Sequence, residues 1–147
     1  MTRITLILLA SFMVFAFACE SFKKTTSEGP ALTGTQWRLV ELNGKAVEKS
    51  ADPNRDITMK LDKGTGRIAG YSGCNNFTGS FSSASESRIS FSLMAGTRKA
   101  CMDGMEREAE FLKVFEMADN YSLSGTTLSL NKARMAPLAR FEAVSAP

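Results

Sequence analysis

The stretch that decides the fold of this chain reads Ser72-Gly73-Cys74-Asn75-Asn76-Phe77-Thr78-Gly79. Gly70, just before this stretch, and Gly73 and Gly79 within it suit a turn and close backbone approach. Asparagine tolerates left-handed backbone, and its amide can bond loop atoms. Phe77 and Gly79 share one face of a following strand, so we expect the loop to end where Phe77 enters the core. We interpret the stretch as a structural loop, with an exposed recognition loop as the alternative.

Short strands are predicted on both sides of this loop. Ile57, Met59 and Leu61 alternate with polar residues, which is the period of a half-buried strand. The predicted strands cover residues 37–42, 57–61, 67–71, 77–81, 89–93, 121–123, 128–130 and 135–141. Antiparallel strands in such number usually close on themselves to remove exposed edges. The sequence therefore predicts a mainly β (α+β) domain, a small antiparallel β-barrel of about eight strands.

One helix interrupts the strands, and we expect it to run from about residue 103 to 119. Asp103 is the predicted cap of its first turn, and Glu106 follows three residues later. Apolar residues recur at helical spacing and form a wide stripe for packing. They are Met105, Ala109, Leu112 and Phe115, widened by Phe111, Val114 and Ala118. We interpret Glu106, Glu108 and Glu110 as a solvated helix surface.

The amino-terminal residues 1–18 are predicted to be a signal peptide of the lipoprotein type. Arg3 precedes an apolar run that ends in Ala18 and Cys19, the layout of an export signal. As a helix the run reaches about 21 Å, which is short of the hydrocarbon core. We expect Cys19 to be acylated, because a cysteine directly after small residues is what lipoprotein processing needs, and two lipid chains would give stable anchoring. Ordinary cleavage, or loss of Cys19 with the leader, is the alternative.

The remainder of the chain divides into three parts. Residues 19–31 are polar and lack periodicity, so we expect a flexible tether with a reach of about 20 Å. Residues 32–141 form the predicted domain, and residues 142–147 form a tail. The predicted localisation is the bacterial cell envelope, with a lipid anchor in a membrane, the outer membrane being favoured, and the domain on its periplasmic or surface side.

Cys74 and Cys101 remain as a pair if Cys19 carries the lipid. They are too far apart in sequence for a C-x-x-C redox motif. An even pair in an exported domain indicates one structural disulfide. The alternative is two reduced and buried thiols.

The composition argues against several classes of function. The chain contains no histidine and has a net charge of +3. Histidine-based triads and zinc sites are therefore excluded, and the charge is too small for a nucleic-acid footprint. The methionines are scattered rather than clustered, so no copper site is expected. We predict no enzymatic activity, no catalytic residue, no metal and no cofactor.

Further motifs support a family resemblance. They are Gly34-Thr35-Gln36-Trp37-Arg38-Leu39, the loop at 72–79, Thr97-Arg98-Lys99-Ala100-Cys101, and Met105, Glu108 and Phe111-Leu112. In these motifs and in their order, residues 32–141 resemble the META domain family, which includes the bacterial heat-inducible protein HslJ. The resemblance implies a compact antiparallel barrel with one helix and an envelope role without an established catalytic residue.

The predicted function is that of a non-enzymatic envelope lipoprotein related to stress or envelope integrity, acting by binding. The candidate binding residues are Gly73, Asn75, Asn76, Thr97 and Arg98, and an envelope protein is the candidate partner. Arg98 is expected to bridge loop carbonyls. Two alternatives remain. One is a carrier of a small apolar ligand, lined by aromatic residues such as Trp37, Phe77, Phe81 and Phe91. The other is a module that inhibits a hydrolase through the loop at 72–79.

Overall fold

The computed structural model describes residues 29–85 and 87–144. The predicted signal peptide, Cys19 and nearly all of the tether lie outside these residues. Nine strands, one short 3-10 helix and one α-helix occupy the described part of the chain. In chain order they are β1 (Gln36–Leu42), β2 (Lys45–Ala46), the 3-10 helix (Pro53–Arg55), β3 (Thr58–Asp62), β4 (Arg67–Tyr71), β5 (Asn76–Ser85), β6 (Arg88–Gly96), α1 (Met105–Met117), β7 (Asn120–Ser124), β8 (Thr127–Asn131) and β9 (Ala139–Ala143).

Eight of these strands close into an antiparallel barrel, as the sequence predicts. The sheet order is β2-β1-β3-β4-β5-β6-β7-β8-β9, and β1 pairs with β9 to complete the ring. The two-residue β2 is an addition at the edge of β1, where it follows the Asn43-Gly44 turn. Leu39 pairs with Phe141 across the β1–β9 closure, so the first and last strands of the domain hold each other in place.

The junction between β6 and β7 is the shortest in the barrel. Their register contains one residue pair, Arg88 with Asn120. The adjacent bonds join Ile89 N to Asp119 O at 3.3 Å and Tyr121 N to Ser87 O at 2.8 Å. Continuing this antiparallel register would place residues before Asp119 opposite the rest of β6. Those residues belong to α1, so β6 beyond Ile89 has no strand on that side within the described part of the chain.

The barrel interior is filled by large side chains. Trp37 is fully buried, and its Nε1 donates to Leu32 O at 3.0 Å. Phe111 of α1 packs against Phe77, Phe115 and Phe141, with ring centroids 5.7, 5.1 and 6.2 Å apart. Two aromatic residues that the carrier alternative assigned to a ligand cavity, Trp37 and Phe77, therefore belong to the packed core.

The glycine predicted to permit close backbone approach in β4 does so. A Cβ on Gly70 would overlap Thr58 O of the neighbouring strand and lie 2.9 Å from Phe77 Cε1. Distances this short are not tolerated between non-bonded heavy atoms. The absence of a side chain at this position lets Phe77 pack across β4.

Helix α1 differs from its prediction in extent and in its cap. It spans Met105–Met117 rather than 103–119, and Gly104 occupies the cap position with a φ of 90°. The expectation that Asp103 caps the helix is wrong, because no side chain accepts a bond there. Left-handed backbone at Gly104 turns the chain into the helix instead. No helix of the described residues is long and apolar enough to span a membrane.

The apolar stripe of the helix is only partly buried. Its buried residues include Phe111, Val114 and Phe115. Ala109 and Met105 are exposed, with 53% of Met105 accessible to solvent, and Leu112 is half-buried. The predicted stripe thus separates into a core-facing part and a solvent-facing part.

The last strand begins later than predicted. The expected strand covered 135–141, whereas β9 spans Ala139–Ala143, and Met135 is exposed in the preceding loop. Pro137 lies inside the predicted range, and proline lacks the N–H that a strand ladder needs. Regular pairing with β8 runs from Ala139 to Glu142.

Candidate functional site

Three segments from separate parts of the chain meet at one end of the barrel. They are the loop 72–75 between β4 and β5, the segment 97–104 between β6 and α1, and the first turns of α1. Four candidate binding residues, Gly73, Asn75, Thr97 and Arg98, lie in the first two segments, and the fifth, Asn76, is the first residue of β5. The helix contributes Glu108, which was part of the sequence motif but was expected on a solvated helix surface.

Asn75 is the centre of this arrangement and is 5% exposed. Its Oδ1 accepts from Thr97 Oγ1 at 2.9 Å and from Lys99 N at 2.8 Å. Its Nδ2 donates to Lys99 O at 3.3 Å and to Glu108 Oε2 at 3.0 Å. These four bonds use the full capacity of an asparagine amide, so Asn75 joins all three segments without leaving a buried polar atom unpaired.

Glu108 is buried, contrary to its predicted place on a solvated helix surface. Only 9% of the residue is exposed. Its Oε1 accepts from Ser72 Oγ, and Ser72 N also donates to Asn75 O at 2.8 Å. The helical spacing could have predicted this burial, since residues 108, 111 and 115 fall on one face of the helix. The residue was nevertheless expected in solvent, because glutamates are rarely buried unless they are paired.

The sulfurs of Cys74 and Cys101 lie at disulfide-bonding distance, with their Cα atoms 6.0 Å apart. This geometry agrees with the predicted pairing. It connects the loop 72–75 to the residues immediately before α1, beside the hydrogen bonds of Asn75. The segment 97–101 is therefore held at its two ends and at its centre.

The remaining candidate residues divide into structural and accessible ones. Gly73 has a φ of 99°, a conformation that favours glycine. Asn76 is exposed at the start of β5, and its carbonyl accepts from Thr97 N at 3.0 Å. Arg98 is also exposed but forms no bond with a loop carbonyl among the described residues, so the expected bridge is not observed there. Of the five candidates, Asn76, Thr97 and Arg98 are exposed, Gly73 is half-buried and Asn75 is buried.

A groove of about 560 Å³ opens between this braced segment and α1. One wall is formed by Gly96 and the segment 97–100, which includes Arg98 and Lys99. The other wall and the floor are largely apolar. They contain Met105, Ala109, Leu112 and Phe77. The solvent-facing part of the helix stripe is therefore one side of a concave surface with cations on its rim.

Two aspartates outside the groove have altered acidity. The pKa of Asp119 is lowered, chiefly because its carboxylate accepts from Ala133 N and then from the Asn120 amide. The pKa of Asp62 is lowered in the same way by the backbone N–H of Thr65. The carboxylate of Asp62 holds the loop after β3, and that of Asp119 holds the loop after β8. Neither lies in the groove lining.

The groove combines apolar walls with a few polar groups. Its ionisable residues are Arg98, Lys99 and Glu108, and both oxygens of Glu108 are engaged in hydrogen bonds. Within residues 29–85 and 87–144, no three histidine, cysteine, aspartate or glutamate side chains converge as metal ligands do. Apolar walls with a few fixed polar groups are typical of binding clefts of this size.

Comparison with known proteins gives the family and the fold. The model of the META domain matches residues 30–145 of this chain. A protein from Burkholderia xenovorans, whose structure was determined by NMR, is 28% identical, with a TM-score of 0.61 over 78% of this chain and 85% of that one. A second NMR structure is 21% identical, with a TM-score of 0.55 over 74% of this chain and 87% of that one, and shows the same fold. No curated protein sequence matches the chain significantly.

Proposed function

The chain belongs to the META domain family, and from that premise we propose that it is a non-enzymatic binding module of the bacterial cell envelope, attached to a membrane by lipid on Cys19. Its binding of an envelope protein would support envelope integrity under stress. The domain acts as a rigid platform, and the tether lets that platform search the space next to the membrane.

The observation that carries this proposal is the bracing of segment 97–101 around Asn75. Loops that project into solvent without internal support are usually mobile. Here Thr97 and Lys99 are bonded to a buried amide, and Cys101 is joined to Cys74. A preorganised surface loses less entropy on association. Such bracing, around exposed cations and beside an apolar groove, suits recognition of a partner.

The envelope location rests on different features. The sequence layout around Cys19 is that of a lipoprotein leader, and the Cys74–Cys101 geometry suits an oxidising compartment. The segment 19–31 is long enough to hold the domain away from the membrane surface. These features agree with each other although they come from separate parts of the chain.

Crosslinked co-purification from intact bacterial cells tests the proposal. The full-length protein, crosslinked before lysis, is expected to recover a defined envelope protein in more than one growth condition. A deletion strain is expected to grow more slowly than its parent under detergent or heat stress. If crosslinking recovers no specific partner and the deletion strain tolerates both stresses normally, the proposed function is wrong.

A further inference from the structure

We propose that the groove between β6 and α1 binds an extended, acidic and apolar segment of a protein, which pairs with the free edge of β6 at Gly96. This inference rests on the proposed binding function and names the chemistry of its partner. Three observations carry it: an open strand edge, an apolar helix face without a covering element among the described residues, and two unpaired cations.

The strand edge is available because, among residues 29–85 and 87–144, no strand pairs with the end of β6 on its β7 side. Phe77 pairs with Gly96 across β5 and β6, and the adjacent bond runs from Thr97 N to Asn76 O. This alternation makes Phe77–Gly96 a non-hydrogen-bonded pair. The N–H and C=O of Gly96 therefore point away from β5, towards the side on which β6 and β7 have separated.

Those two backbone groups face the groove. Gly96 lines it together with residues of α1 on the opposite wall, so an extended chain placed in the groove would meet one donor and one acceptor. Addition of a strand to an exposed sheet edge is an established mode of peptide recognition. The backbone of β6 is irregular at Leu93, which has a positive φ and lies at a bulge in the pairing with β5. We therefore expect a bound peptide to pair only with the end of β6, beyond this bulge.

The apolar contribution comes from the solvent-facing part of the helix stripe. Met105, Ala109 and Leu112 recur at spacings of four and three residues, which places them on one helix face. They line the groove with Phe77 below them. An extended peptide directs alternate side chains to opposite sides. Its apolar side chains can therefore lie on this wall, and the flexible methionine can adapt to their shape.

The preference for acidic residues comes from the opposite wall. Arg98 and Lys99 are exposed on the groove lining, and neither forms an ion pair with a described residue. The nearby carboxylate of Glu108 is turned inward to Ser72 and Asn75. Carboxylates of a bound segment would thus meet cations at the rim, which favours association with acidic partners over basic ones.

The test uses short acetylated and amidated peptides with the purified, disulfide-containing domain. A peptide that alternates valine and glutamate is compared with one that alternates valine and lysine, by fluorescence anisotropy. The first is expected to bind at least about fivefold more tightly, because each rim contact between opposite charges favours it. Amide signals of Gly96 and Ala109 are expected to shift in NMR spectra on its addition.

Charge variants provide matched controls. Ala109→Glu is expected to weaken binding of the valine–glutamate peptide about fivefold or more, whereas Ala109→Lys, of similar length, retains it. Arg98→Glu is expected to weaken binding similarly, and Arg134→Glu, at an exposed position outside the groove, leaves it unchanged. N-methylation of the peptide backbone is expected to weaken binding, because it removes the donor that would meet the Gly96 carbonyl.

Several results would overturn the inference. They are failure of both peptides to bind, equal binding of the two, shifts confined to other surfaces, or full binding of the N-methylated peptide. Saturable binding of dodecanoate in the groove without peptide binding would identify an amphiphile site instead. The broader function is judged separately. If crosslinking recovers the same partner with Ala109→Glu as with wild type, the groove is not the contact, while the binding function stands.

Discussion

The side-chain amide of Asn75 donates to a carboxylate oxygen of Glu108 across 3.0 Å, joining the loop before β5 to the first turns of α1. Both residues are buried, and each has further bonds to the surrounding segments. The contact links residues 33 positions apart in the chain. It makes the groove wall and the helix parts of one rigid unit, on which the following predictions depend.

Asn75→Ala is expected to reduce the free energy of unfolding by about 2–3 kcal/mol, because it leaves Lys99 N and a Glu108 oxygen without their partner in a buried site. Urea denaturation measures this change. Asn76→Ala is the matched control, since Asn76 is exposed, and it is expected to cost less than about 0.5 kcal/mol. Equal losses in the two variants would contradict the assigned role of Asn75.

Glu108→Ala is expected to destabilise the domain by about 2–3 kcal/mol, because Ser72 and Asn75 lose their shared acceptor. Glu108→Gln retains an oxygen that can accept from Asn75, and its expected loss is about 1 kcal/mol. Glu106→Ala, two residues earlier and exposed, serves as the control in thermal unfolding. A loss for Glu106→Ala as large as that for Glu108→Ala would show that the helix itself, rather than the buried contact, is responsible.

The double variant Cys74→Ser, Cys101→Ser is expected to lower the free energy of unfolding by about 3.5 kcal/mol, since the bond closes a loop of 27 residues. Wild-type protein kept in reductant should show a similar loss. Intact mass without reductant provides an independent measurement. Two free thiols in the mature, oxidised-compartment protein would rule out the bridge.

Asp119→Asn is expected to make the domain less sensitive to acid. The folded-state pKa of Asp119 lies below its ordinary value of 3.8, because Ala133 N and the Asn120 amide donate to its carboxylate. Its contribution to stability is therefore complete above that ordinary value and is lost as the pH falls through the lowered one.

Urea midpoints at about pH 6 and about pH 3 measure this acid dependence. The decrease between the two pH values should be smaller in Asp119→Asn than in wild type. Asp103 is exposed and takes no part in these bonds, so the urea midpoint of Asp103→Asn should fall between the two pH values as much as that of wild type. An unchanged decrease in Asp119→Asn would contradict the assigned cause.

Cys19→Ala is expected to move the protein from the membrane fraction to the soluble fraction of bacterial cells, because the two acyl chains that provide stable anchoring are lost. Immunoblots of the separated fractions measure the change. Wild-type protein in the soluble fraction would refute lipidation, whatever the variant does. Cys101→Ser, by contrast, is expected to remain in the membrane fraction as wild type does.

The strand pattern was predictable from sequence to a large extent. Alternation at Ile57, Met59 and Leu61 predicted β3, and these three side chains are buried. The last strand was predicted to begin too early, because the apolar residues around Pro137 have the pattern of a strand. Pro137 lacks the backbone N–H that a strand ladder needs. The alternating segments predicted the eight strands of the barrel but not the two-residue β2, and closure followed from the need to remove edges.

The site was less predictable. The motif contained Glu108, but a charged residue between Arg107 and Ala109 on a helix is ordinarily solvated, and only the partners at Ser72 and Asn75 make its burial favourable. Similarly, the four bonds of Asn75, a candidate binding residue, depend on segments that are distant in the chain. Arg98 lacks such bonds among the described residues and remains accessible.

Local chemistry, read residue by residue, was enough to determine the alternation of the strands, the need for glycine at position 70 and the candidate pairing of Cys74 with Cys101, because each depends on backbone sterics or on side-chain type. Three-dimensional packing alone decided that β6 separates from β7 after Ile89 and that three of the seven stripe residues line a groove. The physical reason is that the side chains that fill the barrel set the orientation of the helix. Burying the large Phe111 and Phe115 is more favourable than burying the smaller Ala109.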